Sequence, residues 1–386
     1  MPARPSPLAS SPARSFAARS FAALALAAAA LALLALLARP APAQERRLDA
    51  HPGGPVALAA SAFAWTEPEA RAFVGAAKGE RVVIALEADA PDPLAASALP
   101  ARRFTLDSTA ERVGDLTEPA QSLANAAAVE LVGGTWIAWW RVLMPNGKTS
   151  RLALELSEAH RRGVPVLGAG AAAGFLAAAV PVARAELGRP ERNPHRADPD
   201  AAFGGLGLVA LVLDADALAH PSLDRGLRAL LRGGATSAVH LAGDAAWIVD
   251  EREQRARLLG RDGAFALFVD VSHARRMRES LREGRLTRVE PGEEWDFARA
   301  VPVVERARWT PPREPPTLAA EKADDPLATA RLGTALAKGS ALVALELVSE
   351  RCTLRLACDA DTRGGKDAPY ADVLFDVAWE FPGAGR

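Results

Sequence analysis

Residues 164 to 176 read Val-Pro-Val-Leu-Gly-Ala-Gly-Ala-Ala-Ala-Gly-Phe-Leu. The run from Val164 to Leu167 is short and apolar, which suits a strand buried on both faces. Gly168 to Gly174 then supplies only Gly and Ala, so the backbone can turn sharply and pack closely. An apolar helix continues through Phe175 and Leu176. Strand, tight turn and helix are the repeating parts of an α/β sheet protein. Small residues at such a turn also serve close packing alone, with no chemistry attached.

The pattern extends on both sides. Upstream, Ser150 can cap a helix whose inner face is Leu152, Leu156 and Ala159, and Gly163 suits its C-terminal stop. Ala128 to Val132 is a further buried strand, running into Gly133-Gly134-Thr135-Trp136. Trp136, Trp139 and Trp140 then fall at helical spacing. Closer to the N-terminus, Val56 to Ala60 and Val82 to Leu86 read as strands around a helix that Thr66, Pro68 and Glu69 start as a capping box. Downstream, Leu206 to Leu213, Thr236 to Leu241, Ala245 to Val249 and Phe265 to Val271 read as strands, with a helix from Ser222 to Leu231. Alternating strands and helices with uninterrupted apolar strands predict an α/β fold: a mostly parallel sheet with helices on both faces. Ligands on such sheets sit beyond the carboxyl ends of the strands.

The 386 residues divide into four parts. Arg4, Arg14 and Arg19 precede an apolar stretch from Phe21 to Ala38, and Ala41-Pro42-Ala43 offers a cleavage site. Residues 1–43 therefore read as a secretory signal peptide, which predicts an exported protein, periplasmic or extracellular. A retained anchor is the alternative, since about 18 apolar residues lie at the short end of a membrane span. Residues 55–275 form the α/β domain. Residues 286–325 carry six prolines among charges and read as a linker or a wrapping segment. Residues 326–386 read as a small α+β extension of one helix and several strands, marginal alone.

Composition narrows the partners. The formal net charge is −1, so nothing draws the chain to nucleic acid or anionic lipid in general. Cys352 and Cys358 are the only cysteines. On one extended strand they would lie about 20 Å apart, too far to bridge, so two unpaired thiols are expected. No zinc spacing accompanies them. Gly204-Gly205-Leu206-Gly207 lacks the spacing of a phosphate loop. No cofactor or metal is therefore expected, and the oligomeric state, including a homo-oligomer, is left open.

Residues 55 to 271 resemble the cyanophycinase and peptidase E family of serine hydrolases, whose α/β fold is related to class I glutamine amidotransferases. The likeness rests on ordered motifs. Val132-Gly133-Gly134-Thr135-Trp136 stands where the family has a Gly-Gly turn after a strand. Gly168-Ala169-Gly170-Ala171-Ala172-Ala173-Gly174 stands where it has G-T-S-A-G-A, with the nucleophilic serine. Gly205-Leu206-Gly207-Leu208 matches a family strand, and Asp224-Arg225-Gly226-Leu227 a helix start. The same region fits the wider G-x-S-x-G nucleophile turn, with Ala172 in the serine slot, or Ala171 by a shift of one. Asp216 stands in the histidine slot and Gly243 in the glutamate slot. The resemblance thus implies a peptidase scaffold without its catalytic residues. A methyl group cannot attack a carbonyl, and what remains without a nucleophile is about 10³–10⁴-fold over water. Backbone donors at the turn would still favour a peptide-like or small anionic ligand.

Gly133, Gly134, Thr135, Trp136, Ala172, Asp214, Asp216 and Asp244 are accordingly the candidate pocket residues. The three aspartates are also readable as a cation site or as solvated loop carboxylates. The tryptophans can form a ligand floor or simply core, with Trp136 the one expected to be partly exposed. His220 is a candidate substitute base, and His240 a core histidine. The competing reading is an active hydrolase that uses other residues, such as Ser222, Ser237 or Asp216.

Overall fold

A computed structural model describes residues 53–379, except 111–112, 182–201, 216–222, 234, 278–279, 297–300, 304–305, 309, 311–326, 339–341, 343, 349–351 and 366–367. The expected signal peptide, Asp216, His220, Ser222 and most of the expected linker lie outside the described residues.

The strands and helices read from the sequence are present. In chain order they are β1 (Val56–Ala59), α1 (Glu67–Val74), β2 (Arg81–Ala85), β3 (Ala101–Thr105), α2 (Thr117–Ala124), β4 (Ala128–Val132), α3 (Trp136–Leu143), α4 (Arg151–Arg161), β5 (Val166–Ala169) and α5 (Ala171–Leu176). β1, β5, β4, β2 and β3 pair in that order, all parallel. Every residue of β1, β2, β4 and β5 is buried, which is why these strands carry no polar alternation. β3 closes the edge and turns Ala101, Arg102 and Arg103 to solvent.

Beyond α5 the expectation of one mostly parallel sheet is corrected. The chain passes directly into β6 (Ala177–Pro181), which belongs to a second sheet with β7 (Ala202–Gly204), β8 (Val209–Asp214) and, after α6 (Leu223–Gly233), β9 (Ser237–Ala242). β10 (Ala245–Asp250) and β11 (Arg255–Gly260) then return to the first sheet, antiparallel beside β1. β12 (Phe265–Asp270), β13 (Arg275–Met277) and β14 (Ser280–Val289) extend the second sheet, again antiparallel. β15 (Glu294–Asp296) and β16 (Val301–Pro302) add to the first. Part of the stretch expected as a linker is therefore paired strand. After α7 (Thr329–Lys338) come β17 (Ala344–Val348), β18 (Cys352–Ala357), the ribbon of β19 (Arg363–Gly365) and β20 (Ala368–Ala371), and β21 (Val373–Trp379). β21 lies between β14 and β18 in the second sheet. Among the described residues the two sheets hold nine strands in the order β16-β15-β11-β10-β1-β5-β4-β2-β3, and ten counting β13. The architecture is mixed α/β, partly parallel and partly antiparallel.

Burial explains the layers. One face of the first sheet, with Leu58, Ile84 and Leu131, packs on Leu123, Trp139, Leu152 and Leu156 of α2 to α4. The same core continues into Leu211, Leu241 and Phe268 of the second sheet. The opposite face, with Ala57, Val83 and Leu167, lies under Phe73 of α1. The outer face of the second sheet packs on Leu227 and Leu230 of α6 and Leu332 and Leu336 of α7. Cys352 and Cys358 are both free thiols, and burial with the neighbouring Asp359 charge pushes Cys358 up to about 12. No helix among the described residues is long and apolar enough to cross a membrane.

Candidate functional site

The carboxyl ends of the parallel strands of the first sheet bring several expected residues together. β5 ends at Ala169, and the turn is made by Gly170, with φ 60° and ψ −130°. Its N–H donates to the Ala59 carbonyl at 2.9 Å and its carbonyl accepts from Ala173 N at 3.1 Å. This backbone conformation is one that residues with side chains rarely adopt, and it makes a tight strand-to-helix turn. A Cβ added at Gly170 would meet only the Ala60 carbonyl oxygen, at 4.0 Å, so a side chain here would project into open space. Ala171 and Ala172 do not make the bend. Both are helical, and Ala172 is fully buried in the core. The position of the turn therefore moves from the expected Ala172 or Ala171 to Gly170.

Gly168 has a different role. A Cβ there would come within 2.9 Å of the Ala173 backbone and 2.8 Å of Leu176 Cδ1, so its absence is what lets α5 lie directly on β5.

Gly133 and Gly134 come after β4 at the same end, with φ of 71° and 76°. Trp139 Nε1 donates to the Gly133 carbonyl at 2.7 Å, tying the turn to α3. Thr135 is exposed and uses its hydroxyl as the α3 cap, accepting from Ala138 N at 3.3 Å. Trp136 is not the open tryptophan. It is 5% exposed and stacks at 5.2 Å on both Trp140 and Phe175, while Trp140 is the partly exposed one. The group is a wall beneath α5 rather than a ligand floor.

Gly243 and Asp244 form the β9–β10 turn at this end too. Asp244 is exposed and accepts from the Ser61 hydroxyl at 2.7 Å. Ser61 stands just past β1, where Ala60 N donates to the Ala245 carbonyl. Sequence reading passes over Ser61, because a single serine in an Ala-rich loop carries no spacing signal. Arg261 holds this loop down. It pairs with both oxygens of Glu69 at 2.8 Å, donates to the Ala64 carbonyl at 2.7 Å and lies over the Phe63 ring. Hydrogen bonding from Arg261 holds the Glu69 carboxyl at about 2, against the opposing effect of burial.

Asp214 lies apart. It ends β8 in the second sheet, 2% exposed, with Arg225 at 3.0 Å and His240 Nδ1 at 3.4 Å. His240 is fully buried against Gly226 of α6, as a core histidine. His160 sits at the other end of the first sheet, where its carbonyl accepts from Gly54 N ahead of β1; burial lowers its imidazole pKa. His273 is exposed beyond β12. None of these three imidazoles lies at the Gly170 bend. Among the described residues no group of three or more metal-ligating side chains occurs; Asp214 lies in the second sheet, Asp244 stands in the turn before β10 of the first, and Asp216 lies outside the described residues.

No family model matches the chain, and no curated protein matches it. Among solved structures the chain is similar to a peptidase from an acI-B1 actinobacterium, at 12% identity and a TM-score of 0.45, over 64% of this chain and 98% of that one.

Proposed function

We propose that the chain is a peptidase-like protein of the cyanophycinase and peptidase E type, with a class I glutamine amidotransferase-like core, that has lost its nucleophile and acts as a binding or scaffold protein. The observation that carries this is Gly170: the bend that would hold a nucleophile is kept, in its strained conformation, by a residue with no side chain. Laid without a gap on the family's G-T-S-A-G-A, Gly168 takes the first position and Gly170 takes that of the serine. The open space above Gly170 is consistent with a lost side chain. A peptide-like or small anionic ligand is the occupant this reading favours. The leader-like first 43 residues support export, to a periplasm or beyond the cell.

A second reading, an active hydrolase with other residues, draws on Ser61, whose hydroxyl already donates to Asp244. A fluorophosphonate probe on the full chain, read by intact mass, separates the two. The proposal expects no adduct. A stoichiometric adduct, mapped to Ser61 or another serine, would replace it with the second reading.

A further inference from the structure

The stretch from Glu87 to Leu99 borders the candidate site and is anchored on a buried cluster of charge. At its start, Glu87 and Ala90 occupy the space that a Cβ at Gly133 would need. In its middle, the Pro93 carbonyl accepts from the Trp65 N–H at 3.1 Å, in the segment that begins at Ser61. Arg103 holds the first half through the carbonyls of Glu87, Ala88 and Ala90. The second half depends on Arg81 of β2 and Glu130 of β4. Arg81 binds both oxygens of Asp92, at 2.5 and 2.7 Å, and donates to the Leu99 carbonyl at 3.3 Å. Glu130 accepts from the Leu94 N–H at 3.1 Å, and its other oxygen shares the Arg81 nitrogen that already serves Asp92. Two carboxylates therefore meet one guanidinium, whose fork is spent on Asp92. Glu130 is fully buried, whereas the Asp92 side chain is 27% exposed. The other charged groups nearby are engaged elsewhere. β5 presents Leu167 beside Glu130, and on α1 Glu67 and Arg71 pair in solvent while Glu69 pairs with Arg261. Glu87 and Asp89 are exposed. With both carboxylates ionised, one positive charge faces two negative ones; a single proton balances them, and a dry site favours the balanced form. Burial and the Asp92 charge accordingly push the Glu130 carboxyl up to about 7.

We propose that the half of this loop from Asp92 to Leu99 is a proton-controlled clamp beside the candidate site. While Glu130 holds a proton, Arg81 and Asp92 pair without competition and the loop stays down. Once Glu130 is ionised, the two carboxylates repel. Glu130 is fixed in a strand with neighbours on both sides, so Asp92 gives way toward solvent and draws Pro93 and Leu94 with it, loosening the Pro93–Trp65 contact. A carboxyl held above its ordinary value in the closed form stabilises that form at low pH, and the stabilisation fades as pH rises through about 7.

Hydrogen exchange of the full chain, read by mass spectrometry on peptides and corrected for the chemical rate at each pH, tests this. Protection of the 92–99 amides, Leu94 and Ser97 among them, should fall about tenfold from pH 6 to pH 8.5, while β5 stays protected. Glu130→Gln keeps an acceptor for the Leu94 N–H and carries no charge, so its protection should be the same at both pH values. Asp92→Asn leaves Arg81 to Glu130 alone, so its fall should be smaller than the parent's. Thermal unfolding of each variant shows that it is folded. Equal protection of the parent at both pH values, or a fall in Glu130→Gln or Asp92→Asn as large as the parent's, would overturn the inference. A fall shared by β5 would overturn it too, since that reports opening of the whole sheet. None of these results depends on the state of the Gly170 bend.

Discussion

Replacing Gly170 by alanine asks how much strain the bend holds. At φ 60° and ψ −130° a residue with a Cβ incurs about 1–3 kcal/mol in backbone energy. No clash adds to this, since the nearest atom to the new Cβ is 4.0 Å away. Alanine also restricts the unfolded chain, which offsets about 0.4–1 kcal/mol. The net expectation for Gly170→Ala is a loss of about 1–2 kcal/mol. Gly168→Ala is the contrast. Its backbone φ is ordinary, but its Cβ would stand 2.9 Å from the Ala173 backbone, so α5 must lift from β5. Overpacking of this kind costs about 1–3 kcal/mol, and it should come with a shift of the α5 core. Urea unfolding monitored by circular dichroism measures both losses. The near-ultraviolet spectrum of Trp136, which stacks on Phe175 of α5, should change for Gly168→Ala and not for Gly170→Ala. A Gly170→Ala variant as stable as the parent would refute the strained bend and with it the placement of the nucleophile slot.

Three further outcomes rest on contacts elsewhere. Arg81 sits between Glu130 and Asp92, and it is 5% exposed with Glu130 at 0%. Arg81→Met should cost about 3–5 kcal/mol at pH 8, because it leaves a buried carboxylate unpaired. Burial and the Asp92 charge push Glu130 up from 4.5 to about 7 despite Arg81. Its contribution to stability is therefore full below pH 4.5 and is lost as pH rises to about 7, so Glu130→Gln should flatten urea stability over that window. Glu69 behaves oppositely: with its carboxyl held at about 2 by Arg261, its contribution is present above pH 4.5 and fades as pH falls toward 2. The pair is partly exposed, so Arg261→Ala should remove no more than about 1 kcal/mol of acid-sensitive stability. Finally, a chain ending at residue 325 should be insoluble or unfolded by circular dichroism, since it lacks β21 and bares the β14 edge.

The first sheet is legible because strands buried on both faces announce themselves as unbroken apolar runs, and Thr66, Glu69 and Ser150 mark helix starts by side-chain chemistry alone. The second sheet is not. An apolar run says that a strand is buried, and nothing local says in which sheet. Ala177 to Pro181 is the sharpest case: an alanine-rich run after a helix reads as more helix, yet it is β6, and the missing side chain of Gly174 leaves room for Val180 to lie against α5. β14 and β15 are hidden by charged residues on their open faces, and by prolines nearby. At the candidate site the Gly-Ala cluster announces a turn, and only the φ and ψ of Gly170 show which residue makes it. The Arg81–Glu130 contact spans 49 residues and has no sequence signature.

Turnover tests the central claim most directly. Purified full-length protein, given α- and β-aspartyl dipeptides including β-aspartyl-arginine and a peptide ester, should release no product beyond the buffer rate. Cleavage of any of them at about 1 s⁻¹ or faster, the lower end of ordinary enzyme turnover, would contradict the claim that a bend without a side chain at Gly170 has ended its chemistry.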